Sequence, residues 1–174
     1  DLKMKINNFK YGFIFAFLVM SLPMFAQRAI KEGKYKINER TLIVKQEQER
    51  LLITEEQNKT ISDFKKNPKI YSRIDRVDFK GKQTVTDVIA NTLGQDRIQQ
   101  LRSSGYILVT LYPESDGSVN GIQLYTKSET GLTIEEIDKI IFALKEKITI
   151  ETPSDLDATA KIAPVSQVVH FNKL

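Results

Sequence analysis

Few residues in this chain could carry chemistry. There is one histidine and no cysteine. His170 could serve as a catalytic base only beside a nucleophile and an orienting acid. A zinc site built from a single histidine would have to rest on carboxylates, a donor set that zinc seldom uses. Glu114, Asp116, Ser118 and Asn120 are spaced like the oxygen donors of a calcium loop. Such a loop also needs a distal bidentate glutamate and helical flanks; Glu129 falls outside that spacing and the flanks read as strands, so a structural turn is expected. Glu135, Glu136 and Asp138 could form paired carboxylates, but at the start of a helix they meet the positive end of its dipole, which accounts for them without a reaction. Arg73, Arg76, Lys80 and Lys82 gather positive charge, interrupted by Asp75 and Asp78, and read as a solvated face. Tyr106, Tyr112 and Tyr125 could line a sugar- or peptide-binding surface, or pack against the N-terminal strands. The sequence holds no P-loop, no G-x-S-x-G and no glycine-rich dinucleotide turn. No catalytic residue, no metal ligand and no cofactor is expected.

The elements that would position these residues centre on Gly105–Lys147. Ile107, Val109 and Leu111 alternate with Tyr106, Leu108, Thr110 and Tyr112, the period of a strand. Asp116-Gly117 marks a turn, and Val119–Tyr125 reads as the returning strand. Thr133 and Glu136 form a capping box, with Leu132 and Ile137 placed as a hydrophobic staple. Ile134, Ile137, Ile140, Ile141, Leu144 and Ile148 then make one helical stripe, while Glu135, Asp138, Lys139, Lys145 and Glu146 face away from it. Each buried isoleucine or leucine of such a stripe is worth roughly 1.5–3 kcal/mol.

Upstream, Lys34–Gln46 and Arg50–Glu56 read as two antiparallel strands joined by a polar turn, with the β-branched run Thr41–Val44 favouring strand over helix. Asn58–Lys66 has room for one or two helical turns. Lys69–Phe79 fits a strand at its later end. Thr84–Leu93 is helical, with Thr84 as cap and Asp87 in the first turn. Asp96 caps a second short helix, Arg97–Arg102, and Gly105 suits the left-handed position that follows one. Pro153–Ala160 is a polar connection and Val165–Phe171 a last strand.

The beginning of the chain reads as a targeting segment. Lys5 and Lys10 form a basic region, Gly12–Leu22 is apolar, and Ala26 offers a small residue at the exit, the pattern of a secretory signal peptide over residues 1–26. The apolar run is shorter than the roughly 20 residues of a membrane span. Residues 27–174 then form a single domain. The net charge of the whole chain is +4. Without Asp1, Lys3, Lys5 and Lys10 it approaches balance, which argues against nucleic acid as partner. Without cysteine there is no disulfide, so in an exported protein the core alone must hold the fold.

The order helix, strand, D-G turn, strand, amphipathic helix, strand over Thr84–Phe171 resembles the C-terminal domain of TonB-type energy transducers. Tyr106-Ile107-Leu108-Val109-Thr110-Leu111 followed by Asp116-Gly117-Ser118-Val119 carries the likeness. The proline-rich spanning segment of that family is missing, and Tyr35–Phe79 has no counterpart in it. The resemblance implies a small α/β sandwich that recognises a peptide added as a strand at a sheet edge. The expected fold class is therefore α+β: an antiparallel sheet packed on an amphipathic helix, TonB C-terminal-like over residues 84–171 and extended by N-terminal strands over residues 27–82. The expected function is that of a periplasmic or secreted, non-enzymatic binding domain, not membrane-embedded in its mature form. Its partner would be an envelope protein, a peptide or a second copy of itself. The candidate binding residues are Tyr106, Tyr112 and Tyr125 on the hairpin and Val165, Gln167 and Val169 on the last strand. The alternative is a small envelope hydrolase or ligand-binding enzyme using His170 with nearby carboxylates.

Overall fold

A computed structural model describes residues 29–74, 77–81, 83–152 and 160–174. The expected signal peptide, most of the expected 153–160 connection, and Asp75, Arg76 and Lys82 lie outside the described residues. The chain forms β1 (Gly33–Ile37), β2 (Arg40–Glu47), β3 (Arg50–Glu55), α1 (Lys59–Lys66), β4 (Tyr71–Ser72), α2 (Val85–Leu93), α3 (Gln95–Leu101), β5 (Tyr106–Pro113), β6 (Val119–Lys127), α4 (Ile134–Lys147), β7 (Lys161–Ile162) and β8 (Val165–His170). Six of the strands make one antiparallel sheet in the order β1-β2-β3-β6-β5-β8, so the fold is α+β. β4 and β7 form a separate short parallel pair.

The N-terminal region holds three strands where two were expected. The chain reverses at Asn38-Glu39 as well as at Gln48-Glu49, and Asn38 and Gln48 have φ of 54° and 57°. Asparagine tolerates this left-handed region better than most residues, because its short amide can hydrogen-bond locally. The reversal is thus placed inside a run whose alternation read as one strand. The meander then lies beside the C-terminal hairpin in the same sheet, through β3 on β6.

One face of the sheet carries the main core. Leu42, Val44, Ile53, Leu124, Ile107, Val109 and Leu111 are buried there against Val85, Val88 and Ile89 of α2 and Ile137, Ile140, Ile141 and Leu144 of α4. Both helices start from capping boxes, Thr84 with Asp87 and Thr133 with Glu136. Arg97 of α3 reaches Glu136 through Nε and Nη2, at 2.5 and 3.0 Å, and so ties α3 to the start of α4. α3 itself begins at Gln95 behind Gly94, two residues earlier than a cap at Asp96 implies.

Two local expectations fail. Asp138 was expected on the solvated side of α4. It is buried, because the β1–β2 hairpin covers that side, and Arg40 of β2 reaches its Oδ2 at 3.0 Å. The later end of Lys69–Phe79 was expected as a strand. Regular strand occurs instead at Tyr71–Ser72, after a turn of 3₁₀ helix at Pro68–Ile70, and Phe79 makes a single bridge to Ile150. Residues 149–151 are held between that segment and the hairpin tip: Ile150 N–H donates to the Gly117 carbonyl at 2.8 Å and Glu151 N–H to the Asp78 carbonyl at 2.7 Å.

Candidate functional site

The second face of the sheet and its two edges are where a partner could be met. Register aligns the outward side chains into rows. One row runs Ile43, Thr54, Gln123, Thr110, Ser166; the next runs Lys45, Leu52, Tyr125, Leu108, Val168. Part of this face is covered by α1, whose Asn58 side chain caps it by accepting from Ile61 N–H at 3.1 Å. Gly121 permits the docking: a Cβ there would lie 2.8 Å from Ile61 Cγ1 and 3.0 Å from Asn58 Oδ1. Phe64 of α1 meets Tyr112 edge-on, with ring centroids 5.7 Å apart.

The three tyrosines of the hairpin therefore share a face but not an environment. Tyr112 is buried under α1, and its hydroxyl donates to Gln123 Oε1 at 2.5 Å. Burial, with a smaller contribution from Tyr125, pushes this phenol up to about 12. Tyr125 and Tyr106 are half-buried and remain reachable. Burial first and the Glu47 carboxylate second raise the Tyr125 phenol as well. Tyr106 stands beside His170, ring centroids 5.9 Å apart. It also lines a shallow groove of about 670 Å³ with Arg50, Lys127, Glu49 and Glu129. Thr54 Oγ1 and Gln123 Nε2 are buried on this face without a hydrogen-bond partner.

Val165, Gln167 and Val169 point the other way. Register places them opposite Leu111, Val109 and Ile107, on the helix-covered face, and Val169 is buried in the core. Their side chains cannot form an outer binding surface. The backbone of β8 is another matter. Phe171 N–H donates to the Gly105 carbonyl at 3.1 Å. Antiparallel ladders engage alternate residues, so Val165, Gln167 and Val169 spend their peptide groups on β5, while those of Ser166, Val168 and His170 face away from the sheet. All three are exposed, and Val168 keeps 52 % of its surface in solvent. Ser166 and Val168 are the residues that the sequence reading missed. The alternation that separates them from Val165, Gln167 and Val169 was readable, but which of the two sides meets solvent follows from sheet order.

The two edges of the sheet differ. β1 carries Lys34, ion-paired with Glu56, and Lys36 on its outward face, and lysines on an edge strand discourage further strand pairing. β8 reads Val-Ser-Gln-Val-Val-His, with no lysine, acid or proline within it. Among the described residues no strand pairs its outer side.

The other chemical candidates are accounted for by the fold. Asp116 Oδ1 accepts from the N–H and hydroxyl of Ser118, and these bonds hold its carboxyl below the usual range. Glu114 Oε1 accepts from Thr60 and Asn120. Both belong to the turn. Burial alone would raise the Glu136 carboxyl, but Arg97 and the Thr133 N–H outweigh it and hold the group low. Lys80 Nζ donates to the Asp116 carbonyl. Among the described residues no group of three or more ligating side chains could hold a metal ion. His170 stands exposed at the end of an edge strand rather than inside a pocket.

No family model matches the chain, and no curated protein matches it. Among solved structures, a DUF5043 family protein from Bacteroides uniformis is similar. The match has a TM-score of 0.59 and 11 % identity, and covers 80 % of this chain and 84 % of that one. At that identity the likeness shows a shared fold.

Proposed function

We propose that this chain is an exported, non-enzymatic binding domain of the bacterial envelope, which takes an extended strand along the outer edge of β8. The observation that carries the reading is the contrast between the two sheet edges: one guarded by lysines, the other uncharged and exposed with its alternate peptide groups pointing outward. Unpaired N–H and C=O groups in a row are a template for strand addition, in which the main chain supplies affinity and neighbouring side chains supply selectivity. Leu108 and Tyr106 of β5, the strand next to β8, and Tyr125 of β6 behind it, all on the outer face, would supply the latter. The resemblance to TonB-type C-terminal domains supports the same mode of recognition, and the signal-peptide pattern supports export.

The test uses random peptides displayed on phage and selected on the full chain. Selected peptides should slow hydrogen exchange at the amides of Ser166, Val168 and His170. A proline at an outward position removes a donor without touching the β5 ladder, so Val168→Pro should abolish that binding while leaving the fold intact. Selected peptides that protect only the groove at Arg50 and Lys127, or that bind Val168→Pro equally well, would overturn the reading.

A further inference from the structure

We infer that the strand taken by β8 is the β8 of a second copy, joined antiparallel about a two-fold axis through Val168. The inference rests on strand addition at β8 and names its partner. Three observations carry it. First, the outward residues Ser166, Val168 and His170 are symmetric about Val168. A two-fold axis there sets Val168 against Val168 of the second copy and Ser166 against its His170. Each outward N–H then meets a carbonyl, and no two histidines are opposed. Second, the edge carries no lysine, arginine or acid, so a copy meets no like-charged pair of such groups across the contact, whereas β1 carries Lys36 and Lys34, the latter ion-paired with Glu56. Like charges directly opposite on neighbouring strands destabilise a sheet. Third, an axis perpendicular to the sheet keeps the outer faces on one side. The row Lys45, Leu52, Tyr125, Leu108, Val168 then runs on into the same row of the second copy, and the exposed Val168 side chains pack on each other. A contact one short strand long is at the small end of specific interfaces, so the dimer should dissociate on dilution.

The chain has no cysteine, which makes disulfide trapping clean. Directly opposed residues of a hydrogen-bonded antiparallel pair have Cα atoms about 5.5 Å apart, within disulfide range. Val168→Cys should cross-link to itself under mild oxidation. Ser166→Cys should not, because its two copies would be roughly 14 Å apart along the strands. A mixture of Ser166→Cys with His170→Cys should cross-link again. The expected margin of Val168→Cys over Ser166→Cys is about tenfold in dimer formed, given how narrow disulfide geometry is. Sedimentation velocity should show the full wild-type chain shifting to dimer with concentration and Val168→Pro remaining monomeric. Equal trapping of Val168→Cys and Ser166→Cys would overturn the inference. If phage-selected peptides still protected the outward amides in that case, strand addition would stand with a foreign strand; if they did not, both readings would fall together.

Discussion

At the scale of single residues, two buried polar groups decide most. The Tyr112 hydroxyl donates to Gln123, whose Nε2 already lacks a partner. Tyr112→Phe removes the donor and leaves Gln123 Oε1 buried and unpaired as well. It should cost about 1–3 kcal/mol in urea unfolding at pH 7. The same phenol makes stability fall in alkali. Its folded value, about 12, lies above the ordinary 10, so the unfolded chain releases this proton first. The contribution is intact below pH 10 and is lost as pH rises toward 12, on the order of 2–3 kcal/mol. Tyr112→Phe should flatten that limb of the pH–stability curve. The second group is Asp138, buried with Oδ1 unpartnered and Oδ2 held by Arg40. Arg40→Ala strips the carboxylate of its partner and also uncovers the Phe142 ring, over which the guanidinium sits at 5.1 Å. Breaking a fully buried pair costs about 3–5 kcal/mol. Arg40 is partly exposed, so about 2–3 kcal/mol is expected from thermal or urea unfolding.

At the scale of elements, the part of the fold legible in the sequence is the part written in short periods. The α4 stripe, its capping box, the Thr84 cap of α2 and the β5–β6 hairpin depend on residues two to four apart, and each stands where those spacings put it. What was not legible depends on contacts far along the chain. Nothing near Leu51 says that it will pair with Thr126, and nothing near Asp138 says that a hairpin from the N-terminal third will cover it. The candidate site divides the same way. The alternation of Val165–His170 was readable. Which of its two faces meets solvent, and that the strand is an edge, follow from sheet order. The docking of α1 offers a test at this scale. Gly121→Ala puts a methyl group into Ile61 and Asn58 and should lift α1 from the sheet. Tyr112 would then be exposed, and its titration, followed by ultraviolet absorbance, should move back from about 12 toward 10.

At the scale of the whole molecule, the sheet has one guarded edge and one open edge, a combination that limits growth. Replacing Lys34 and Lys36 by threonine removes the guard. The double variant should associate beyond a dimer, since both edges could then accept strands and the contact no longer closes on itself. Light scattering over a concentration series reads this directly. The strand order also sets a timetable. β5 and β6 are joined by a short turn and can pair as soon as both exist. Their outer neighbours lie on opposite sides of the hairpin in sequence, β3 well before it and β8, the last of the six strands, well after it. Pairings so distant in sequence form slowly, and the flank of β5 stays bare until β8 has been synthesised. During synthesis the growing chain thus holds the β1–β3 meander and the β5–β6 hairpin before it holds a complete six-stranded sheet, and β8 is the strand that completes it.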